Sequence, residues 1–190
     1  KMVAIAAATD NPSKDNKVSI KSQTKVVFPK NAVTDMFYTY QDIAAQEREE
    51  SLNYDCILKR GVTVLELNSR QEPCPDYMKS FKYTITGNCG NVFNPSTGHC
   101  LKKTTLTNTY DISGDQLTGK RFSFSIYFFL GKDDVTDIQL TTQSIDTEDK
   151  VVKKLSFENV HMVKGKMTTY KGPFLTTHSS ASFIIDSPTI

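Results

Sequence analysis

Between Arg121 and Leu130 the chain reads RFSFSIYFFL. Phe122, Phe124, Ile126 and Phe128 fall on one face, and Ser123, Ser125, Tyr127 and Phe129 on the other. A period of two sets successive side chains on opposite faces of a strand. This segment is therefore expected to be a central strand with one face fully buried, each buried Phe contributing about 1.5–3 kcal/mol. Met78–Gly87 (MKSFKYTITG) alternates in the same way, with Phe81, Tyr83 and Ile85 together. Weaker strand patterns cover 1–8, 18–28, 35–40, 135–142, 151–163 and 182–186, and 101–112 is a Thr-rich segment. Tyr54–Asn68 is another β-rich run, in which Gly61 predicts a bulge or kink. Turn signals separate these runs, among them Asp10-Asn11-Pro12, Asn94-Pro95-Ser96-Thr97-Gly98 and Gly131-Lys132-Asp133-Asp134.

Near the end, Phe157–Thr177 holds two strand-like runs around Lys164-Gly165-Lys166. Phe157, Val160 and Met162 supply the apolar side of the first; Met167, Tyr170, Phe174 and Leu175 supply that of the second. The pattern predicts a β-hairpin, with a bulge at Gly172-Pro173. The whole chain reads as all-β, an antiparallel β-sandwich. Asp42–Ser51 (DIAAQEREES) is the most polar stretch and is expected to be a solvated turn or linker. It divides residues 1–50, strands of a preceding β domain or an N-terminal extension of the same sheet, from a sandwich over residues 52–190.

Composition narrows the function. Eleven Phe and eight Tyr with no Trp supply the material of a β core. A net charge of +2 gives no basic stripe for nucleic acid. No run reaches the roughly 18 apolar residues that span a bilayer. Lys1–Ala8 (KMVAIAAA) is short for a signal-peptide core and reads as a strand, so the chain is expected to begin inside a longer precursor.

Cys56, Cys74, Cys89 and Cys100 form no C-x-x-C pair, which disfavours structural zinc or a thioredoxin-type site. Cys89 and Cys100 flank the strong turn in CGNVFNPSTGHC, and a hairpin there would bring their sulfurs together. Such a bridge would contribute on the order of 3 kcal/mol. Cys56–Cys74 would be its companion, the other two connectivities staying open. An even cysteine count fits a periplasmic or surface location. His99, His161 and His178 match no metal spacing, and no Ser sits in a nucleophile elbow. The acidic turns at 131–134 and 146–149 lack the EF-type order and read as solvated. No catalytic residue, cofactor site or metal site is expected, and the chain is not read as an enzyme. The eight tyrosines could include a glycan-stacking surface, although half-buried packing explains most of them.

Several segments, in order, resemble the fimbrillins and fimbrial anchors of Bacteroidetes. Leu58–Asn68 (LKRGVTVLELN) is similar to the strand that opens that family's second domain. Phe122–Thr142 is similar to its mid-domain strand, turn and strand, and Glu158–Gly172 (ENVHMVKGKMTTYKG) to its closing segment. KMVAIAAATDN and DMFYTY resemble strands of its first domain. The chain departs from the family at His161, where Pro is usual, at Lys164–Lys166, where Arg-Asn is usual, and in its four cysteines. The resemblance implies a transthyretin-like sandwich at the cell surface or outer membrane. It would be a structural subunit or anchor of fimbriae that joins other fimbrial subunits by strand addition and serves adhesion. A host or bacterial surface receptor is a further implied partner, and any lipid anchor would lie upstream of Lys1. The alternative reading is a surface-exposed, glycan-binding β-sandwich lipoprotein.

Overall fold

The structure, a computed structural model, describes residues 2–8, 18–28, 32–43, 55–69, 73–112, 121–177 and 182–189. All regular elements among them are strands. In chain order they are β1 (Met2–Ala7), β2 (Ser19–Ser22), β3 (Lys25–Val27), β4 (Met36–Gln41), β5 (Lys59–Arg60) and β6 (Thr63–Asn68). Next come β7 (Met78–Gly87), β8 (Cys89–Gly90), β9 (Val92–Asn94), β10 (His99–Cys100) and β11 (Leu106–Asp111). The last five are β12 (Ser123–Leu130), β13 (Val135–Asp146), β14 (Val151–Val163), β15 (Met167–Lys171) and β16 (Ile184–Thr189).

The alternation in Ser123–Leu130 places β12 inside a five-stranded sheet ordered β16-β15-β6-β12-β8. A four-stranded sheet, β11-β7-β13-β14, packs against it. Between them lies the larger core, built from Leu65 and Leu67, Phe81 and Ile85, Ile126 and Phe128, Ile138 and Leu140, Val160 and Met162. Its aromatic side chains form a continuous chain of contacts. Tyr110 stacks on Phe124 at 4.3 Å and Phe124 on Phe81 at 5.5 Å, while Phe174 bridges Phe81 at 6.1 Å and Phe183 at 5.0 Å. Offset and edge-on ring pairs of this kind contribute beyond the area they bury.

The opposite face of β12 is occupied as well. Phe129 is fully buried in a smaller core with Val26, Phe28, Met36, Tyr38, Val62 and Phe93. Its ring lies 4.8 Å from that of Phe93 and 5.7 Å from that of Phe28. Two further sheets, β1-β4-β5 and β10-β9-β3-β2, carry this core. The kink expected at Gly61 is present: the run breaks between β5 and β6, and the Gly61 amide donates to the Met36 carbonyl at 2.9 Å. The break lets β5 pair with β4 while β6 pairs with β12. Most of the polar stretch at 42–51, and the turn at 10–12, lie outside the described residues.

One expectation about pairing is corrected. Phe157–Thr177 is not a hairpin. β14 pairs with β13, whereas β15 pairs with β6 and β16 in the other sheet. Lys164–Lys166 is an arch between sheets, with Gly165 at φ 74° and the Lys164 amide held by the Asp134 carbonyl at 2.8 Å. A Gly in the left-handed region turns the chain without the Cβ cost other residues meet, and it serves an arch as well as a hairpin. The sheets are antiparallel as expected, with one departure among the described residues: β15 runs parallel to β6 from Met167 beside Val64 to Lys171 beside Asn68.

The bulge also moves. At Gly172-Pro173 the chain makes a tight turn, closed by the Phe174 amide on the Gly172 carbonyl at 3.1 Å. The bulge sits in β14, where Glu158 and Asn159 together oppose Gln139, and Asn159 adopts φ 57°. That extra residue explains the three-residue step from Phe157 to Val160: it restores the inward phase, so Val160 and Met162 are fully buried. Asn tolerates the left-handed region, whereas a β-branched residue pays roughly 1–2 kcal/mol there. Asn159→Gly should therefore hold its urea midpoint near wild type, and Asn159→Val should lose about that much stability. Equal loss in both variants would show that side-chain contacts, not backbone conformation, fix the bulge.

Candidate functional site

Two features of the described residues stand out: an open side of the sandwich and an uncovered final strand. On the open side, β8 pairs with β12 only at Phe129 and Leu130. Ser123–Phe128 therefore has no strand neighbour on that side among the described residues, and β11 is likewise an edge strand. Between these two edges lies a cleft of about 490 Å³. Asn91, Thr105, Thr107 and Ser125 line it together with Tyr83, Tyr110 and Tyr127. The Tyr83 and Tyr110 rings lie 5.9 Å apart, and burial pushes both phenols above their ordinary value of 10.0. Tyr127 is half-buried against the smaller core.

At the far edge of the same sheet, β16 pairs only with β15, through Ile184 opposite Lys171, Ile185 opposite Tyr170 and Asp186 opposite Thr169. Adjacent strand residues point to opposite faces, yet Ile184 is 49% and Ile185 57% exposed. At these two positions neither face of β16 is covered. A Lys171–Asp186 ion pair supplements its backbone pairing.

A third constellation joins residues distant in sequence. Asp134 Oδ1 lies 3.2 Å from Lys164 Nζ and 3.5 Å from His99 Nε2. Gly98, at φ 73°, packs beside the Tyr38 hydroxyl and leaves no room for a Cβ. The group ties the Asn94–Gly98 turn to the β12–β13 turn and the Lys164–Lys166 arch. Burial, then Lys164, holds His99 below its ordinary 6.5, against the opposing pull of Asp134 and Asp133. Burial, then Asp134, raises the Tyr38 phenol. Among the described residues no group of three ligating side chains forms around His99, and the contacts of Asp134 join separate segments as a clamp. Sequence spacing offered no sign of it, because its members lie in β10, the β12–β13 turn and the Lys164–Lys166 arch.

None of the four cysteines is bridged. The hairpin predicted by CGNVFNPSTGHC does form, but its register sets Cys100 opposite Phe93, and the Thr104 amide bonds the Cys89 carbonyl at 2.9 Å. The two cysteines are thus four residues out of step along the ladder. They also face different interiors, Cys89 the larger core and Cys100 the smaller. Cys56 is exposed; Cys74 is buried with its sulfur near the Ile112 carbonyl. Of the tyrosines, Tyr38, Tyr83 and Tyr170 are buried and Tyr77 is exposed, while Tyr54 lies outside the described residues, as does His178. His161 pairs with Asp137 at 3.1 Å on the surface. Among the described residues no group of three His, Cys, Asp or Glu side chains could hold a metal ion. No described helix is long and apolar enough to cross a membrane.

Two measurements test these assignments. Because the fold lowers the pKa of His99, the unfolded chain binds a proton more readily. Stability should therefore fall as pH drops from 6.5 through the lower folded value. Between pH 7 and pH 5 the Tm of wild type should drop more than that of His99→Gln, and equal slopes would exclude His99 as a source of the pH dependence. Burial, and then Cys100, push the Cys89 thiol up to about 12. Without reductant, the folded chain should react with a thiol reagent first at exposed Cys56, and all four cysteines should react after unfolding. Only two reactive thiols in the unfolded chain would reveal a bridge.

No curated protein matches the sequence. Among solved structures, the chain is similar to the crystal structure of a candidate adhesin from Bacteroides ovatus ATCC 8483. The two are 12% identical, the match covers 82% of this chain and 63% of that one, and the TM-score is 0.49. The chain thus spans less than two thirds of that protein's length. A family model, described as a family of unknown function (DUF6562), matches residues 15–188. With nearly its whole length matched, the chain belongs to the DUF6562 family.

Proposed function

We propose that this chain is a structural protein of the bacterial cell surface, a subunit or anchor of fimbriae that serves adhesion and assembles by strand addition. The observation that carries the reading is β16, among the described residues an edge strand whose two isoleucines, Ile184 and Ile185, are exposed. An apolar edge that presents unpaired backbone groups is a template for another chain. Backbone hydrogen bonds supply affinity in such an addition, and alternate side chains supply register. The ordered resemblance of Leu58–Asn68, Phe122–Thr142 and Glu158–Gly172 to fimbrial proteins supports the same reading.

The other long edge is less suited to addition. β14 carries Lys153, Lys154, Glu158 and His161 and is bent by the bulge at Asn159. Charges and bulges are common devices against edge pairing. Assembly is therefore assigned to the β16 side, with no catalytic step.

Light scattering on the purified chain should show oligomers that grow with concentration. Ile185→Lys should shift them toward monomer, while monomer stability, as for most surface substitutions, changes by no more than about 0.5 kcal/mol. A wild-type chain that stays monomeric at its highest soluble concentration would overturn the proposal. So would oligomers indifferent to the substitution.

A further inference from the structure

The cleft between β11 and β12 has a composition unlike the rest of the chain. Nine of its thirteen lining residues carry a hydroxyl or a side-chain amide, and none is charged, although 23% of all residues are. A ligand held by charge, whether phosphate, carboxylate or amine, would find no counter-ion there. A volume of about 490 Å³ lies within the ~300–1,000 Å³ typical of small-ligand sites.

We propose that this cleft binds a short stretch of neutral carbohydrate. Sugar hydroxyls both donate and accept, and the side chains that match them are amides and hydroxyls. Asn91, Thr105 and Ser125 line the cleft and have no side-chain hydrogen-bond partner among the described residues. The edge of β12 that has no strand neighbour among the described residues adds backbone donors and acceptors beside them. Tyr127 offers a ring that enters no ring pair among the described residues, suited to the C–H face of a sugar. Beneath, the ring contact of Tyr83 with Tyr110 at 5.9 Å and the stack of Tyr110 on Phe124 at 4.3 Å make a packed floor. The site is thus preorganised, which lowers the ordering cost of binding.

A peptide strand could also pair with that edge of β12. It would call for pockets that receive alternate side chains, whereas nine of the thirteen lining residues, Asn91, Thr105 and Thr107 among them, present amide and hydroxyl groups. The lining favours sugar.

The inference is independent of strand addition at β16, and its test keeps the two apart. The folded chain is titrated calorimetrically with cellohexaose, mannohexaose and chitohexaose, and then screened on an array of neutral glycans. Binding of at least one neutral glycan is expected. Asn91→Ala and Tyr127→Ala should each weaken it about tenfold, the loss of roughly 1.4 kcal/mol. Tyr127→Phe keeps the ring and should stay within about threefold of wild type. Tyr77→Ala, at an exposed tyrosine that does not line the cleft, should bind as wild type does. Ile185→Lys should lose oligomers yet keep sugar affinity. Melting curves identify any variant that fails to fold, and Ser125→Ala, on an exposed side chain, then provides a second measurement. The proposal is overturned if no neutral glycan binds or if binding ignores Asn91 and Tyr127. It is equally overturned if a peptide with the Ile184–Thr189 sequence occupies the cleft in place of sugar.

Discussion

Everything in this fold depends on burying both faces of the second half of β12. Phe128 and Phe129 are neighbours in sequence, point in opposite directions and are both fully buried. Phe128 closes the larger core between the two main sheets, and Phe129 anchors the smaller core formed with the N-terminal strands. At about 1.5–3 kcal/mol for each buried Phe, this dipeptide alone rivals a sizeable part of the 5–15 kcal/mol by which folded domains are usually stable. The strands at 2–7 and 36–41 gain their apolar partner through it, and β6, paired along most of β12, has Val64, Leu65 and Leu67 fully or almost fully buried.

The same strand creates the open side. β8 is two residues long, so it covers Phe129 and Leu130 and leaves the rest of β12 without a neighbour there among the described residues. The polar half of β12, Ser123 and Ser125, reads as a solvent face in the sequence, and Ser125 does line the cleft. The opposing wall could not be read in the same way, because the Thr-rich stretch at 104–108 carries no periodic signal strong enough to name a partner. Only the pairing of β11 with β7, Leu106 opposite Ile85 and Tyr110 opposite Phe81, sets it across the gap.

The cysteines show why local reasoning stops at the turn. The hairpin around Asn94–Gly98 is a short-range event, driven by Asn94 accepting from Ser96 and by Gly98 in the left-handed region. Which residue then faces Cys89 is fixed by register, and the ladder sets Cys100 opposite Phe93 instead. The clamp of His99, Asp134 and Lys164 makes the converse point. Three segments that share no motif meet because the strands between them pack, and the electrostatics of His99 exist only in that arrangement.

By itself, the sequence determined where strands form and which side chains turn inward. Alternation acts through neighbours two residues apart, and it identified β7, β12 and β14, with the bulge at Asn159 hidden in the uneven step from Phe157 to Val160. Tertiary structure alone decided which strands pair. Lys164-Gly165-Lys166 permits a hairpin or an arch at similar local cost. The choice fell to the arch because β13 occupies one edge of β14, and β6 offers β15 a parallel partner about a hundred residues earlier in the chain. Long-range contacts of that kind arise from the burial of the whole core, and no short window of sequence contains them.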